Sequence, residues 1–171
     1  HEAALLVDQV VEDWPELDGH LVNLVAKLWA QRDPLPAAEW VASSSDVKMK
    51  ENLLSNLAFK VAKIRGFDGL TIATHIEDPE TREKAREKAI YWWGVTTGGV
   101  SLVAGKAKPY RDISYGFPSD WTEQNIRSFS FATMVNYTAN LPDLLTIANS
   151  DEQRILIYEG ALRGSAWSNP A

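Results

Sequence analysis

The chain contains no cysteine among its 171 residues, and this absence excludes disulfides, thiolate catalysis and zinc–thiolate sites. It has only three histidines, and no two of them have the spacing that places two imidazoles on one helix face. No run of about 18 apolar residues occurs, so we expect no membrane-spanning segment and no membrane partner. An initiator methionine is also missing, and we expect the chain to be a processed product or a fragment.

Catalytic motifs are missing as well. The stretch Gly99–Lys106 is similar to a phosphate-binding loop, but five residues instead of four separate its glycines, and Ala107 stands where Ser or Thr is needed. We interpret it as a turn of small residues. No Gly-x-Ser-x-Gly elbow and no candidate pair of catalytic carboxylates occurs. The sequence therefore predicts a protein that is not an enzyme and that needs no cofactor and no metal.

Charge is distributed unevenly along the chain. The net charge is −6, yet residues 82–111 hold seven basic and two acidic side chains, which gives +5. Residues 1–46 hold nine acidic and two basic side chains, which gives −7. Such separation favours either a basic surface for a polyanion or two surfaces that attract each other between subunits.

Apolar periodicity indicates helices in the first half of the chain. After Asp18, four aliphatic residues recur at the spacing of one helix face: Leu21, Leu24, Val25 and Leu28. A second helix is predicted from Asp46, with an apolar stripe that ends at Gly66. A third is predicted to begin at Asp78-Pro79-Glu80 and to end near Trp93-Gly94, before a Thr-Thr-Gly-Gly turn.

The second half of the chain is also predicted to be helical. Residues 100–103 fit a strand or a helix, and residues 106–118 are typical of a loop. Helices are predicted from Pro118, from Pro142, and from a capping box made by Ser150 and Gln153. The last helix should bury Ile155, Leu156 and Leu162, and Gly160 and Gly164 should loosen its end before a tail at residues 165–171. The predicted fold is mainly α, a single helical-bundle domain over residues 1–171 with extended termini.

The predicted third helix carries the clearest candidate binding residues. Arg82 and Arg86 are four residues apart and share one face, and Lys84 with Lys88 forms a second such pair. Two basic ridges on one helix could neutralise successive phosphates, and arginine adds bidentate geometry. The alternative is a solvated charged helix, because acidic residues alternate with the basic ones.

Aromatic residues accompany this charge. The rings at residues 91–93 cannot all share one helix face, so at least one should point away from the core. The segment KAKPYRDISY, residues 106–115, mixes cations and rings as proteins that bind single strands do, although an ordinary surface loop remains the alternative. Its candidate RNA-binding residues are Lys106, Lys108, Tyr110 and Arg111.

Two strings of the sequence resemble the coat proteins of flexuous filamentous plant viruses, especially the potyvirus-like ones. These are the string PYRDISYG at residues 109–116 and the string IRSFSF at residues 126–131. That family has a Pro-Tyr…Tyr-Gly segment, then a helix with an aromatic-x-Phe motif, and an upstream arginine at the distance of Arg86. The similarity covers residues 80–164.

The resemblance implies a helical coat subunit that polymerises around single-stranded RNA, located in the virion and the host cytoplasm. Its partners would be RNA and copies of itself. Arg86 would correspond to the family's RNA-binding arginine, with Arg82 as the alternative register, and Arg127 in the second string joins the expected RNA contacts. Ala132 stands where that family has an aspartate, and no serine can be matched. The alternative function is a helical protein–protein interaction module whose basic 82–111 segment docks an acidic partner.

Overall fold

The computed structural model describes residues 18–43, 47–104, 117–136 and 141–168. Within these ranges the chain forms eight helices and no strand, which confirms the mainly α, helical-bundle prediction. The helices are α1 (Asp18–Trp29), α2 (Pro34–Ala42), α3 (Val47–Ala62), α4 (Gly66–Thr74), α5 (Pro79–Ala104), α6 (Glu123–Asn136), α7 (Leu141–Thr146) and α8 (Asp151–Ser168). None of the helices in these ranges is both long enough and apolar enough to cross a bilayer.

Two hydrophobic clusters form the core, and α5 contributes to both. Helices α1 to α4 supply most of the first cluster, to which α5 adds Ala85. Helices α6 to α8 supply most of the second, to which α5 adds Ala89, Ile90 and Trp93. These α5 residues follow one another at helical spacing, so one helix face joins the two halves of the molecule.

Helix α5 is longer than predicted. It continues past Trp93 and Gly94 to Ala104, so residues 100–103 are helical. Gly94 lies inside the helix, where a Cβ would come within 2.7 Å of the carbonyl oxygen of Phe129. The glycine is therefore a site of close approach between α5 and α6, and its role as a helix end was predicted wrongly.

Two glycines of α8 have the same role. A Cβ on Gly160 would lie 2.5 Å from the carbonyl oxygen of Arg127, and one on Gly164 would lie 2.7 Å from that of Phe131. Both glycines let α8 pack directly on the backbone of α6. They do not loosen the helix, which continues to Ser168, into the stretch predicted as a tail.

The burial of apolar side chains differs from the prediction at both ends of the described chain. Leu156 is buried, but Ile155 and Leu162 are 58% and 68% exposed. Leu24 and Leu28 of α1 are exposed by similar fractions. Helical spacing identifies apolar faces, but α1 and α8 have apolar residues on more than one face, and only packing decides which face is covered.

Several helix boundaries also differ from the prediction. Helices α2 and α4 were not predicted, and Gly66, the first residue of α4, packs against the indole of Trp93 where a Cβ would overlap the ring. Helix α6 begins at Glu123, not at Pro118. Two reciprocal hydrogen bonds cap its start. The Thr122 amide donates to Asn125 Oδ1 (3.0 Å), and the Asn125 amide donates to Thr122 Oγ1 (3.2 Å). The helices at residues 141–146 and 151–168 confirm the predictions made there.

Candidate nucleic-acid interface

The start of α5 is fixed by its first turn. Asp78 Oδ2 accepts a hydrogen bond from the amide of Thr81 (2.7 Å), and hydrogen bonding by Thr81 lowers the pKa of Asp78. Pro79 fits the first helical position, where no intrahelical partner for an amide exists. Glu80 and Lys84 form an ion pair at positions i and i+4, and the hydrogen bond from Lys84 to Glu80 raises the pKa of Lys84. The basic residues that follow therefore project from a well-defined helix.

Arg82 and Arg86 lie on the same side of α5 as the buried Ala89 and Trp93, at positions i, i+4, i+7 and i+11. Both arginines are half-buried as a result. They line a pocket of about 430 Å³, which we call the arginine pocket. Its other walls come from α4 and from the segment before α6, and include Phe67, Thr71, Thr74, Pro118 and Asp120.

Each of the two arginines is held by its neighbours. Arg82 Nη1 donates a hydrogen bond to the carbonyl oxygen of Ile76 (3.2 Å). This bond uses only one of the five N–H groups of the guanidinium. Arg86 Nη2 donates to Oδ2 (2.6 Å) and to the carbonyl oxygen (3.0 Å) of Asp120. Arg82 forms no ion pair with a carboxylate among the described residues, although Asp78 interacts with it electrostatically and Glu83 also lines the pocket. A phosphate in the pocket would have to compete with Asp120 for Arg86.

The predicted second ridge lies on the opposite side of the helix. Lys84 and Lys88 are about half a turn away from the arginines because residues two positions apart do not face each other. With Tyr91 they line a shallow hollow of about 360 Å³, which α6 closes with Gln124 and Ser128. The four basic residues of α5 thus form two sites instead of one.

Arg127 does not line the arginine pocket. It bridges α6 and α8, where its Nε donates to Glu159 Oε2 (2.6 Å) and its Nη2 lies 3.1 Å from Glu123 Oε2. The hydrogen bond to Glu159 is the main reason that the pKa of Arg127 is raised. Its contact with RNA stays a prediction. The other four candidates, Lys106, Lys108, Tyr110 and Arg111, lie outside the described residues.

The aromatic triplet at residues 91–93 divides as expected. Trp93 is buried against Trp121 and Phe129, whereas Tyr91 and Trp92 are half-buried. Trp92 faces Lys63, the residue that follows α3, whose Nζ lies 3.8 Å from the centre of the indole ring. The sequence analysis missed Lys63 and its neighbour Phe59. The four-residue spacing of these two residues can be read from the sequence. That α3 packs beside α5, which brings them to Trp92, cannot.

Among the described residues, no group of three histidine or acidic side chains has an arrangement that could hold a metal ion. No family model, curated protein or solved structure matches the chain. The chemistry of the site must therefore be argued from its own geometry: half-buried guanidinium groups at a pocket, and exposed lysines beside aromatic rings.

Proposed function

We propose that this chain is a non-enzymatic structural subunit that binds single-stranded RNA and polymerises into a helical filament around it. The observation that carries the proposal is the pair of half-buried arginines, one turn apart, at a pocket of about 430 Å³. Guanidinium groups bind phosphate oxygens in a bidentate manner, and their partial burial strengthens such a contact. Arg82, which forms no ion pair with a carboxylate in the described chain, would bind first.

Exposed apolar surface supports the polymer part of the proposal. Leu24 and Leu28 form one exposed apolar stripe on α1. Ile155, Tyr158 and Leu162 follow one another at positions i, i+3 and i+7 and form another on α8. Contiguous apolar patches on a folded chain mark surfaces that contact other molecules. A head-to-tail polymer would cover both stripes.

The charge distribution supports the same arrangement. The sequence separates an acidic segment, residues 1–46, from a basic one, residues 82–111, and segments of opposite charge on successive copies would attract each other. The net charge of −6 disfavours tight binding of RNA by one isolated subunit. Many weak contacts along one strand give high avidity, so a polymer needs only a small basic site in each subunit.

The experiment reverses both charges of the arginine pocket. Arg82→Glu with Arg86→Glu should lower the affinity for poly-uridine at low salt by about a hundredfold and abolish RNA-containing filaments. Arg32→Glu with Lys60→Glu, at two exposed positions outside the arginine pocket and both apolar stripes, makes the same change in net charge and serves as the control. Circular dichroism should show unchanged helicity in both variants. Normal packaging of RNA by the pocket variant would contradict the site assignment.

A second candidate function is an interaction module that docks an acidic protein through the same pocket. Arg86 already binds the carboxylate of Asp120, so a partner's carboxylate could occupy this position. Binding to poly-uridine that weakens steeply with salt would favour the RNA-binding subunit. Binding to polyglutamate but not to poly-uridine would favour the module.

A further inference from the structure

Two cations and two rings alternate where the end of α3 and the turn that follows it pack beside α5. Lys88 Nζ lies 4.0 Å from the centre of the Phe59 ring. Lys63 Nζ lies 5.5 Å from that same ring and 3.8 Å from the centre of the Trp92 ring. Phe59 lies in the last turn of α3 and Lys63 directly follows that helix, whereas Lys88 and Trp92 are one turn apart on α5. We call these four residues the lysine–aromatic ladder.

The two lysines of the ladder contact aromatic rings and form no ion pair within the described chain. Neither Lys63 nor Lys88 has a carboxylate partner among the described residues, whereas Lys50, Lys84 and Arg86 each have one and Arg127 has two. Both ammonium groups approach the same phenyl ring, so two like charges lie close together. A ring attracts an ammonium group only weakly where water reaches it. The ladder therefore presents positive charge that an external anion can bind.

The exposure of the ladder allows such an anion to approach. Lys88 is exposed, and Lys63, Phe59 and Trp92 are half-buried. When an ammonium group moves from a ring to a phosphate, it gains a stronger, charge-assisted bond. The same movement uncovers a flat ring face, and a nucleobase stacks on such a face irrespective of its identity.

We infer that the lysine–aromatic ladder is a second binding site for single-stranded nucleic acid, in which Lys63 and Lys88 bind phosphates and Trp92 stacks on a base. This inference rests on the proposed function and adds a site that is separate from the arginine pocket. Arg86 and Lys88 are two positions apart and point to different sides of α5. A strand bound at both sites would pass around that helix. An acidic peptide would use the lysines but would leave the rings without stacking partners.

The test measures the fluorescence anisotropy of a labelled oligouridylate at low salt. Lys63→Ala with Lys88→Ala should weaken binding about tenfold. Lys27→Ala with Arg163→Ala removes two exposed charges elsewhere that have no carboxylate partner in the described chain, and should weaken binding by no more than about threefold. Equal losses in the two double variants would overturn the site, because they would mean that only net charge matters.

Substitution of Trp92 tests the stacking. Trp92→Leu should weaken binding of the oligouridylate about tenfold but leave binding of an abasic oligonucleotide of the same length unchanged. Trp92→Phe keeps a ring and should retain most of the affinity, with thermal melting as the check on folding. Unchanged binding of the oligouridylate by Trp92→Leu would overturn the inference, as would displacement of RNA by polyglutamate at equal charge concentration. If the unmodified protein binds no oligouridylate at all, the proposed function itself fails.

Discussion

Arg86 and Arg127 carry equal charges, but their neighbours leave them unequally available to an external anion. Arg127 contacts two carboxylates, on α6 and α8, and joins those helices. Arg86 contacts one carboxylate, that of Asp120, whose side chain is 68% exposed. The Asp120 carboxylate faces water, so a phosphate can approach Arg86 from the same side and compete with it. We therefore regard Asp120 as a competitor of RNA for Arg86.

Asp120→Asn tests this competition. Removal of the carboxylate charge should raise the affinity for oligouridylate about two- to fivefold, because Arg86 loses its competing anion and the phosphate loses a repelling one. Asp151→Asn removes the carboxylate that pairs with Arg154 on α8 and is the matched control. Anisotropy titrations of both variants give the comparison. An unchanged or lower affinity in Asp120→Asn would show that RNA does not compete with Asp120.

The sequence predicts which residues of α5 share a face, but it does not predict their partners. The four-residue spacing of Arg82 and Arg86 was sufficient to pair them. Asp120 was expected to start a helix; in the structure Thr122 caps that helix, which leaves Asp120 to contact Arg86. Lys63 lies over Trp92 because α3 packs beside α5, and no local pattern shows this.

Among the helices, glycine decides how closely neighbours approach. Gly160 and Gly164 of α8 contact the backbone of α6. Gly94 of α5 also contacts the backbone of α6. Glycine inside a helix usually indicates a weak point, so the sequence predicted helix ends or loosened turns at these positions. A glycine in the sequence is ambiguous, because both a helix end and a close crossing of two helices favour a residue without a side chain. Only the position of α6 distinguishes them.

Gly160→Ala tests the close packing of α8 on α6. At an exposed position in a helix interior this change would stabilise the protein by up to about 1 kcal/mol. At Gly160 the new Cβ would lie 2.5 Å from the Arg127 carbonyl oxygen and 2.9 Å from Ser130 Cβ, so the helices must separate. We expect a loss of about 1–3 kcal/mol in the free energy of unfolding, measured with urea. Arg163→Ala, at an exposed position of α8, is the control, and a stabilised Gly160→Ala would contradict the packing.

For the whole molecule, the fold class was predictable and the exposed surface was not. Apolar periodicity and the capping signals at Pro79 and Ser150 were sufficient for a mainly α bundle. The same periodicity suggested that Ile155 and Leu162 are buried, yet both are exposed on α8. The error follows from packing, since α6 covers the face of α8 that contains Leu156, Ile157, Gly160 and Ala161. What remains uncovered is the surface that the proposed polymer would use.

The central claim is that the chain polymerises along single-stranded RNA, and electron microscopy tests it most directly. Purified protein mixed at low salt with single-stranded RNAs of two defined lengths should form flexible rods whose lengths are proportional to those of the RNAs. Raised salt should dissolve the rods, because phosphate contacts weaken as salt increases. Isolated particles only, with either RNA and at every salt concentration, would contradict the account.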